Sequence, residues 1–513
     1  MTEYDVVIIG FGPTGAVAAC LLGQAGLRTL VIEKQPAVWP KPRAIAIDHE
    51  ILRVLQNVGV AHQVLPHTAP FTASQHFGVD GQLIRHVDMI PPPYPLGYVP
   101  SMVFTQPPVE AAIRAHAASF PAVEVALGAE FAAFDQDAAG VTVHLTRQGA
   151  ARSVRAAYLI GADGASSPVR QQAGIALQDL IFDEPWMVID VRMHHAALEK
   201  LPPTAAQFCE PQRPSTFIIG PGNHRRWEIM LLPGEDPRAM EQDAAVWRLL
   251  SRWITPVDGT LWRASSYRFH ALVARRWRRG RVFIAGDAAH QQPPFLGQGM
   301  CQGIRDAANL AWKIEAVLSG TATDALLDTY GTERGAHVAT LTARIKAIGH
   351  AICERDPAAA RARDAALIAQ GGGQAPRVTR QDIVPPLETG LLSHEAHPAR
   401  GALFPQPWIV DETGPYRMDE RTGAGWRLVL DGRANPTVPN GPPTITVTQP
   451  GLPAHGALVE QDGVLARWFD RHGCIGAIVR PDHYVFGALT STNAATLLKE
   501  WRDRPGTTQA AVP

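Results

Sequence analysis

Hydrophobic positions in the first thirty-odd residues change period twice. Residues 5–10 include the unbroken run Val6-Val7-Ile8-Ile9, β-branched on both faces, as expected of a buried parallel strand. Residues 13–26 have helical spacing and close on Gly26, and residues 28–33 return to a strand. Together these predict a βαβ unit of about thirty residues. Farther on, the pattern predicts helices near 49–58 and 109–116, hairpin strands over 123–145, and a strand at 157–161 that runs into a turn. Alternation at 186–193, 216–219 and 227–232 predicts an antiparallel sheet within 186–270. A second buried strand at 281–286 precedes a long helical stretch through Leu318, with more helix to Ala351. Residues 354–400 mix Ala/Arg-rich helix with Gly371, Gly372, Gly373 and paired prolines, and read as a linker. From 401, short strands between Pro/Gly turns suggest a separate small α/β domain.

Composition narrows the classes. A chain of 513 residues is too long for one ordinary domain, and 46% hydrophobic with 19% charged residues excludes wholesale disorder. Lys+Arg 47 against Asp+Glu 48 leaves a net charge of −1 without a basic stripe, which argues against nucleic acid as a partner. The five cysteines form no CxxC, so neither a disulfide framework nor a zinc knuckle is expected, and a reducing cytoplasm is the expected location. Residues 6–27 lack charge, but Glu3 and Asp5 precede them and Gly10, Gly12, Pro13 and Gly15 interrupt them, so no signal or membrane segment is expected. His394 and His397 have no nearby ligand set, and no metal site is expected.

Three glycine-bearing motifs carry the chemistry. In Gly10-Phe11-Gly12-Pro13-Thr14-Gly15, Gly10 allows the tight turn, Gly12 lets a pyrophosphate approach the backbone, and Gly15 lets helix and strand pack closely. The helix N-terminus adds free N–H groups. Glu33, at the end of the second strand, can accept ribose hydroxyls, which favours FAD or NAD over NADP. The second motif, Gly161-Ala162-Asp163-Gly164-Ala165-Ser166-Ser167, is a strand-to-helix turn in which Ser166 or Ser167 caps the helix. In the third, a strand delivers Gly286-Asp287 to the carboxyl edge of a sheet. Asp287 could hold a ribityl hydroxyl there, with Pro293, Pro294, Gly297 and Gly299 shaping the loop before the next helix.

Taken in this order, the motifs resemble the class A single-component FAD-dependent aromatic hydroxylases, most of all the 3-(3-hydroxyphenyl)propionate hydroxylase-like group. The resemblance rests also on PRAIAIDHEILRVLQ (42–56), FDEPWMVID (182–190), NHRRWE (223–228) and GDAAHQQPPFLGQGMCQGIRDAANLAWK (286–313), and it spans residues 4–350. It implies an α/β (α+β) fold with a Rossmann-like FAD-binding domain from 1–70, 100–180 and 270–355. A substrate-binding middle sheet would come from 71–99 and 181–269, followed by a helical linker at 356–400. A thioredoxin-like C-terminal domain, lacking CxxC and therefore dithiol chemistry, would occupy 401–513.

By the same resemblance, the ADP half of FAD falls to Gly10, Gly12, Pro13, Thr14, Gly15, Glu33 and Lys34. Arg43 falls near the pyrophosphate and Gln106 near the ribityl chain, while Asp163 belongs to a motif tied to FAD and NAD(P)H. Gly286 and Asp287 fall to the ribityl chain, Gly297, Gln298, Gly299 and Met300 to the isoalloxazine, and Pro294 to the reacting face. NADH or NADPH would reduce the flavin transiently, O2 would add at its C4a, and the resulting hydroperoxide would hydroxylate an electron-rich ring.

The pocket should be mostly apolar with a few polar anchors. Alternation over 224–231 puts His224, Arg226, Glu228 and Met230 on one face. Arg226 is expected to point to the flavin or to a substrate anion, with a surface salt bridge as the alternative. His290 is either a proton relay from the phenol or a structural hydrogen-bonding group. The expected substrate is a small phenol, and a quinolone-like heteroaromatic, an antibiotic, or flavin binding without oxygenase activity are the other readings. A flavin halogenase is disfavoured because no Trp-x-Trp-x-x-Pro segment occurs. The protein would act as a monomer or homodimer.

Overall fold

A computed structural model describes residues 3–504, apart from 435, 437, 439–440 and 453–455. The predicted βαβ unit is present. Strand β1 (Tyr4–Ile9), helix α1 (Pro13–Gln24) and strand β2 (Thr29–Glu33) follow one another, and β1 pairs in parallel with β2. On its other side β1 pairs in parallel with β3 (Ala150–Gly161), which pairs in parallel with β4 (Val282–Ile284). All four strands are buried along the paired stretch, which is why they read as continuous apolar runs rather than alternations. They form the middle of an eight-stranded sheet. Helix α2 (Gly299–Leu318) packs against α1. Gly303 allows that approach, since a methyl group there would run into Thr14 Oγ1.

The 123–145 region departs from the expected hairpin. Its first strand, Val123–Leu127, is no hairpin arm but pairs in parallel with β2. The hairpin is the next pair, Ala129–Gln136 with Val141–Arg147. A short strand ending at Gly128 (φ +67) reads the same in sequence whether its partner is adjacent or distant.

The middle layer is a mixed, mostly antiparallel nine-stranded sheet in which Ala205–Phe208 pairs in parallel with Ser74–Phe77. Its long strands, Leu177–Met193 and Gly259–Ala274, pair with each other, and His224–Met230 lies on the other side of Leu177–Met193. The order then runs outward through Ser215–Ile219, Ala205–Phe208, Ser74–Phe77 and Leu83–Asp88. The 356–400 stretch is more than a linker. After the helix Pro357–Gln370, Arg377–Thr379 adds an edge strand parallel to Leu83–Asp88. A three-residue strand carries too little alternation to be seen in sequence.

The C-terminal five-stranded sheet pairs Arg427–Asp431 in parallel with Thr444–Thr448 and antiparallel with Gly476–Val479, which pairs antiparallel with Val485–Leu489. With the helices Val464–His472 and Ala494–Arg502, this is a small α/β unit, as the strand-and-turn pattern from 401 suggested. All five cysteines are free, buried thiols. Among the described residues no helix is long and apolar enough to cross a membrane, and no cluster of His, Cys, Asp and Glu could hold a metal.

Candidate active site

The three motif turns follow adjacent strands, so the sheet itself brings them together. Gly10 N–H donates to Ile32 O at 2.8 Å, Ala162 N–H to Ile9 O at 2.8 Å, and Ala285 N–H to Gly161 O at 2.9 Å. Their common edge opens into a cavity of about 1080 Å³ that continues to the inner face of the nine-stranded sheet.

Each glycine of the first turn has its own steric reason. Gly10 sits at φ +98, and a methyl group there would strike Ala162 O; one on Gly15 would strike Gly10 O. A methyl on Gly12 would meet nothing within 4 Å, because the position faces the cavity. The first turn of α1 follows, with Pro13 at its start and no side chain capping its N–H groups. Glu33 lines the cavity while its oxygens accept from Phe11 N–H and Gln35 N–H, both at 2.8 Å, which fixes the carboxylate at the end of β2. Gln106 Oε1 accepts from the N–H groups of Arg43 at 2.9 Å and Ala44 at 2.6 Å, so this residue holds the Arg43 backbone against the cavity as well as lining it.

The residues fit a dinucleotide also by what they leave unused. Asp163 Oδ2 accepts from Val169 N–H at 3.1 Å, but its Oδ1 is buried without a partner. Burial pushes the Asp163 carboxyl up from its usual range. Asp287 makes no hydrogen bond to the described residues; its carboxylate stands free in the cavity although protein encloses it on the other sides, and that enclosure raises its pKa. Buried polar atoms are seldom left unmatched, so Asp163 Oδ1, with the exposed Asp287 carboxylate in the same cavity beside the uncapped N-terminus of α1, points to a ligand site. Lys34, Pro13, Thr14, Pro294, Gly297, Gly299 and Met300 complete this part of the lining.

Four predicted residues do not line the cavity. Gly15 acts by packing. Gly286 (φ +62) also packs tightly, since a methyl there would stand 2.7 Å from Thr14 Oγ1, and it donates its N–H to Asp306 Oδ2 at 2.9 Å. Gln298 faces inward and accepts from Arg305 Nη1 at 3.0 Å. His290 is corrected from relay to structural group: its ring bonds Asp306 Oδ2 at 2.8 Å, stacks on Trp277 at 5.6 Å, and is buried away from the cavity. Asp306 is further held by Arg334 Nε at 2.8 Å, so the pair belongs to the packing of α2.

Arg226 lines the cavity, but its guanidinium is already engaged. Nε and Nη2 donate to Asp190 at 2.7 and 3.2 Å, and Nη1 donates to Arg43 O at 2.9 Å. The salt bridge is thus buried rather than on the surface, and it ties the middle sheet to the Arg43 backbone. Burial alone would lower this guanidinium's pKa; Asp190 more than offsets it. Two residues on, Glu228 also lines the cavity, makes no hydrogen bond, and is pushed up to about 7 by burial.

Sequence reasoning missed a polar row that crosses the sheet. Register aligns Arg85 with His76, His76 with Gln207, Gln207 with Thr216, and Thr216 with Glu228, and all five line the cavity. It also missed Arg114, which lines the cavity and lies over the Phe11 ring at 5.1 Å. The spacing of Gln106, Glu110 and Arg114, one helical face at every fourth residue, was the available signal.

Known proteins agree with this geometry. Residues 3–345 match the FAD binding domain family, and residues 401–504 match the HcaD C-terminal domain. A probable NADH-specific resorcinol 4-hydroxylase of Rhodococcus jostii (strain RHA1) is 36% identical, covering 97% of this chain and 94% of its own. A 3-(3-hydroxy-phenyl)propionate/3-hydroxycinnamic acid hydroxylase of Mycobacterium sp. (strain JLS) is 33% identical over 96% and 90%. The flavin-dependent monooxygenase PieE, solved with FAD and substrate, shares the fold with a TM-score of 0.81 at 22% identity, covering 98% of this chain and 99% of its own. The chain belongs to the FAD-binding family of class A flavoprotein aromatic hydroxylases.

Proposed function

We propose that this protein hydroxylates a small phenol bearing a substituent meta to the hydroxyl, with NADH rather than NADPH as reductant. The carrying observation is a single cavity that joins the Gly10–Asp163–Asp287 edge to the polar inner face of the nine-stranded sheet. Two relatives support the substrate class, since each is named for a ring with a hydroxyl meta to a second group; the resorcinol relative's name supports NADH.

When bound, FAD supplies the redox chemistry: it accepts reducing equivalents from the nicotinamide and activates O2 for transfer of one oxygen atom. The chain does the rest. The Gly12–Thr14 backbone takes the pyrophosphate, Glu33 the adenosine ribose, Asp287 the ribityl hydroxyls, and Gly297, Gly299 and Met300 the ring. Pro294, which lines the same cavity, would contact the ring, and Asp163 would serve the cofactor from the neighbouring turn. Arg226 positions the Arg43 backbone through its bond to the carbonyl. Glu228 accepts the proton of the substrate hydroxyl, which its raised pKa allows near neutral pH. Phe269, Phe295 and Leu296 supply apolar wall that excludes water. We further assign the protein to the cytoplasm, supported by its five buried thiols, as a monomer or homodimer.

The test is NADH oxidation by the FAD-loaded protein with resorcinol, 3-(3-hydroxyphenyl)propionate, 3-hydroxycinnamate and a hydroxyquinoline, with mass spectrometry of products. Oxidation stimulated by a meta-substituted phenol with a gain of one oxygen is expected. Stimulation by the hydroxyquinoline alone would move the assignment to heteroaromatic substrates. No stimulation by any ring would leave a flavin-binding protein without oxygenase activity.

A further inference from the structure

We propose that Arg85, His76 and Gln207 form an anion subsite at the far end of the cavity, which takes a carboxylate carried on the substrate's side chain. The inference rests on the phenol-hydroxylase reading and adds to it the class of substrate: an aromatic acid rather than an uncharged phenol.

The three side chains lie on adjacent strands. Leu83–Asp88, Ser74–Phe77 and Ala205–Phe208 are neighbours, and register sets Arg85 opposite His76 and His76 opposite Gln207. Neighbouring strands are about 4.8 Å apart, so the three groups present one contiguous patch to the cavity. Each can donate. The Arg85 guanidinium has no hydrogen-bond or ion-pair partner among the described residues, and its Nε is buried without one. His76 likewise makes no hydrogen bond, and burial, its largest influence, pushes it down to about 3, so it stays neutral and keeps a ring N–H to offer. Gln207 Oε1 is occupied by Thr216 Oγ1–H at 2.6 Å, which leaves the Gln207 amide nitrogen as its free end toward the cavity.

Nothing among the described residues neutralises Arg85. The nearby acid, Asp364, is already held by Val79 N–H at 2.8 Å, Gln82 Nε2 at 3.1 Å and Arg363 at 2.6 Å. Arg363 in turn donates to Ala351 O and Cys209 O and brings a second positive charge to the neighbourhood. The Cys209 thiol is pushed up to about 12 by burial and supplies no negative charge. Leaving a partly buried guanidinium unpaired is costly, and an arginine fork matches a carboxylate in two parallel hydrogen bonds. Glu228, four strands away on the same row, belongs to the other end of the cavity, so a tail anion at Arg85 and a ring hydroxyl at Glu228 do not compete.

Ligand binding to the FAD-loaded protein, read from the change in flavin absorbance without reductant, tests the subsite apart from turnover. The probes are 3-(3-hydroxyphenyl)propionate, its primary amide, and resorcinol. The wild type should bind the acid at least tenfold more tightly than the amide. Arg85→Gln should weaken the acid roughly ten- to a hundredfold and leave amide and resorcinol within about twofold. Arg85→Lys should recover part of the loss, and the melting temperature of each variant reports whether it has folded. Should Arg85→Gln fail to fold, the wild-type preference for acid over amide and the partial function of Arg85→Lys still decide the matter. Equal binding of acid and amide by the wild type, or equal weakening of all three ligands by Arg85→Gln, would overturn the subsite and leave the hydroxylase reading intact. A wild type whose flavin spectrum responds to none of the three would overturn both.

Discussion

Beneath the C-terminal sheet, buried charges meet partners within the chain. Glu333 accepts from Lys313 Nζ at 2.7 Å, from Asn309 Nδ2 at 2.7 Å, and from Arg480 at 3.0 and 2.7 Å, while Arg480 also reaches Asp482 at 2.7 Å. Arg53 meets Asp419 at 2.7 Å, and Tyr484 Oη and Arg305 share Glu50 at 2.8 and 2.6 Å. Along the cavity, by contrast, the buried His76 and Glu228, the half-buried Arg85 and the exposed Asp287 carboxylate have no hydrogen-bonding partner among the described residues. The seam is finished by folding; the cavity is finished by what binds there. A buried ionisable group therefore points to structure or to a ligand according to whether it finds any partner within the chain.

Substitutions should separate the two regions most sharply at the seam. Glu333→Ala leaves Lys313 and Arg480 buried without their shared acceptor and should cost about 3–5 kcal/mol of stability in denaturant unfolding of the FAD-loaded protein. Gly15→Ala, behind the cavity-lining turn, should cost about 1–3 kcal/mol because its methyl meets the Gly10 carbonyl, and should weaken FAD retention as well. Asp287→Asn should behave in the opposite way to Glu333→Ala: stability of the FAD-free protein within about 0.5 kcal/mol of wild type, and FAD affinity lower by roughly ten- to a hundredfold. A large loss of stability in FAD-free Asp287→Asn would break the contrast.

Glu228 sharpens it through pH. Its folded pKa of about 7 stands above the ordinary value of 4.5, so the folded protein holds a proton there that the unfolded chain releases. The stability this provides is complete below about pH 4.5 and is lost as pH rises through 7. Glu228→Gln should remove that dependence, so its stability relative to wild type should rise between pH 5 and pH 8, within roughly those bounds. Melting curves across this range check the sign. The smallest effect belongs to an exposed pair, Arg268 and Asp183 at 2.7 Å: Asp183→Asn should change unfolding by less than about 0.5 kcal/mol.

What could be read in the sequence follows the same division. The Gly10, Asp163 and Asp287 turns were legible because each lies within a short segment whose glycines and flanking strand specify the local backbone. That the turns share an edge followed from the buried apolar runs of β1, β3 and β4. The alternation at 224–230 placed Arg226 and Glu228 on one face, but not their different fates. Asp190 lies on another strand, and only its register with Arg226 shows that the arginine is already paired. The row from Arg85 to Glu228 was invisible for the same reason, since its members come from five strands whose pairing no local pattern states. His290 stood between relay and structural group because its partner, Asp306, sits on the following helix, which turns the ring away from the cavity.

The central claim is that three separated turns close on one FAD. Titration of FAD-free protein with FAD, followed by flavin fluorescence, tests it most directly when wild type is compared with Glu33→Gln, Asp287→Asn and the double variant. Saturation at one FAD per chain, with losses at the two distant positions that add in free energy to within about 0.5 kcal/mol, is the predicted result. Wild-type protein that binds no FAD, or variants that bind it as tightly as wild type, would contradict the account.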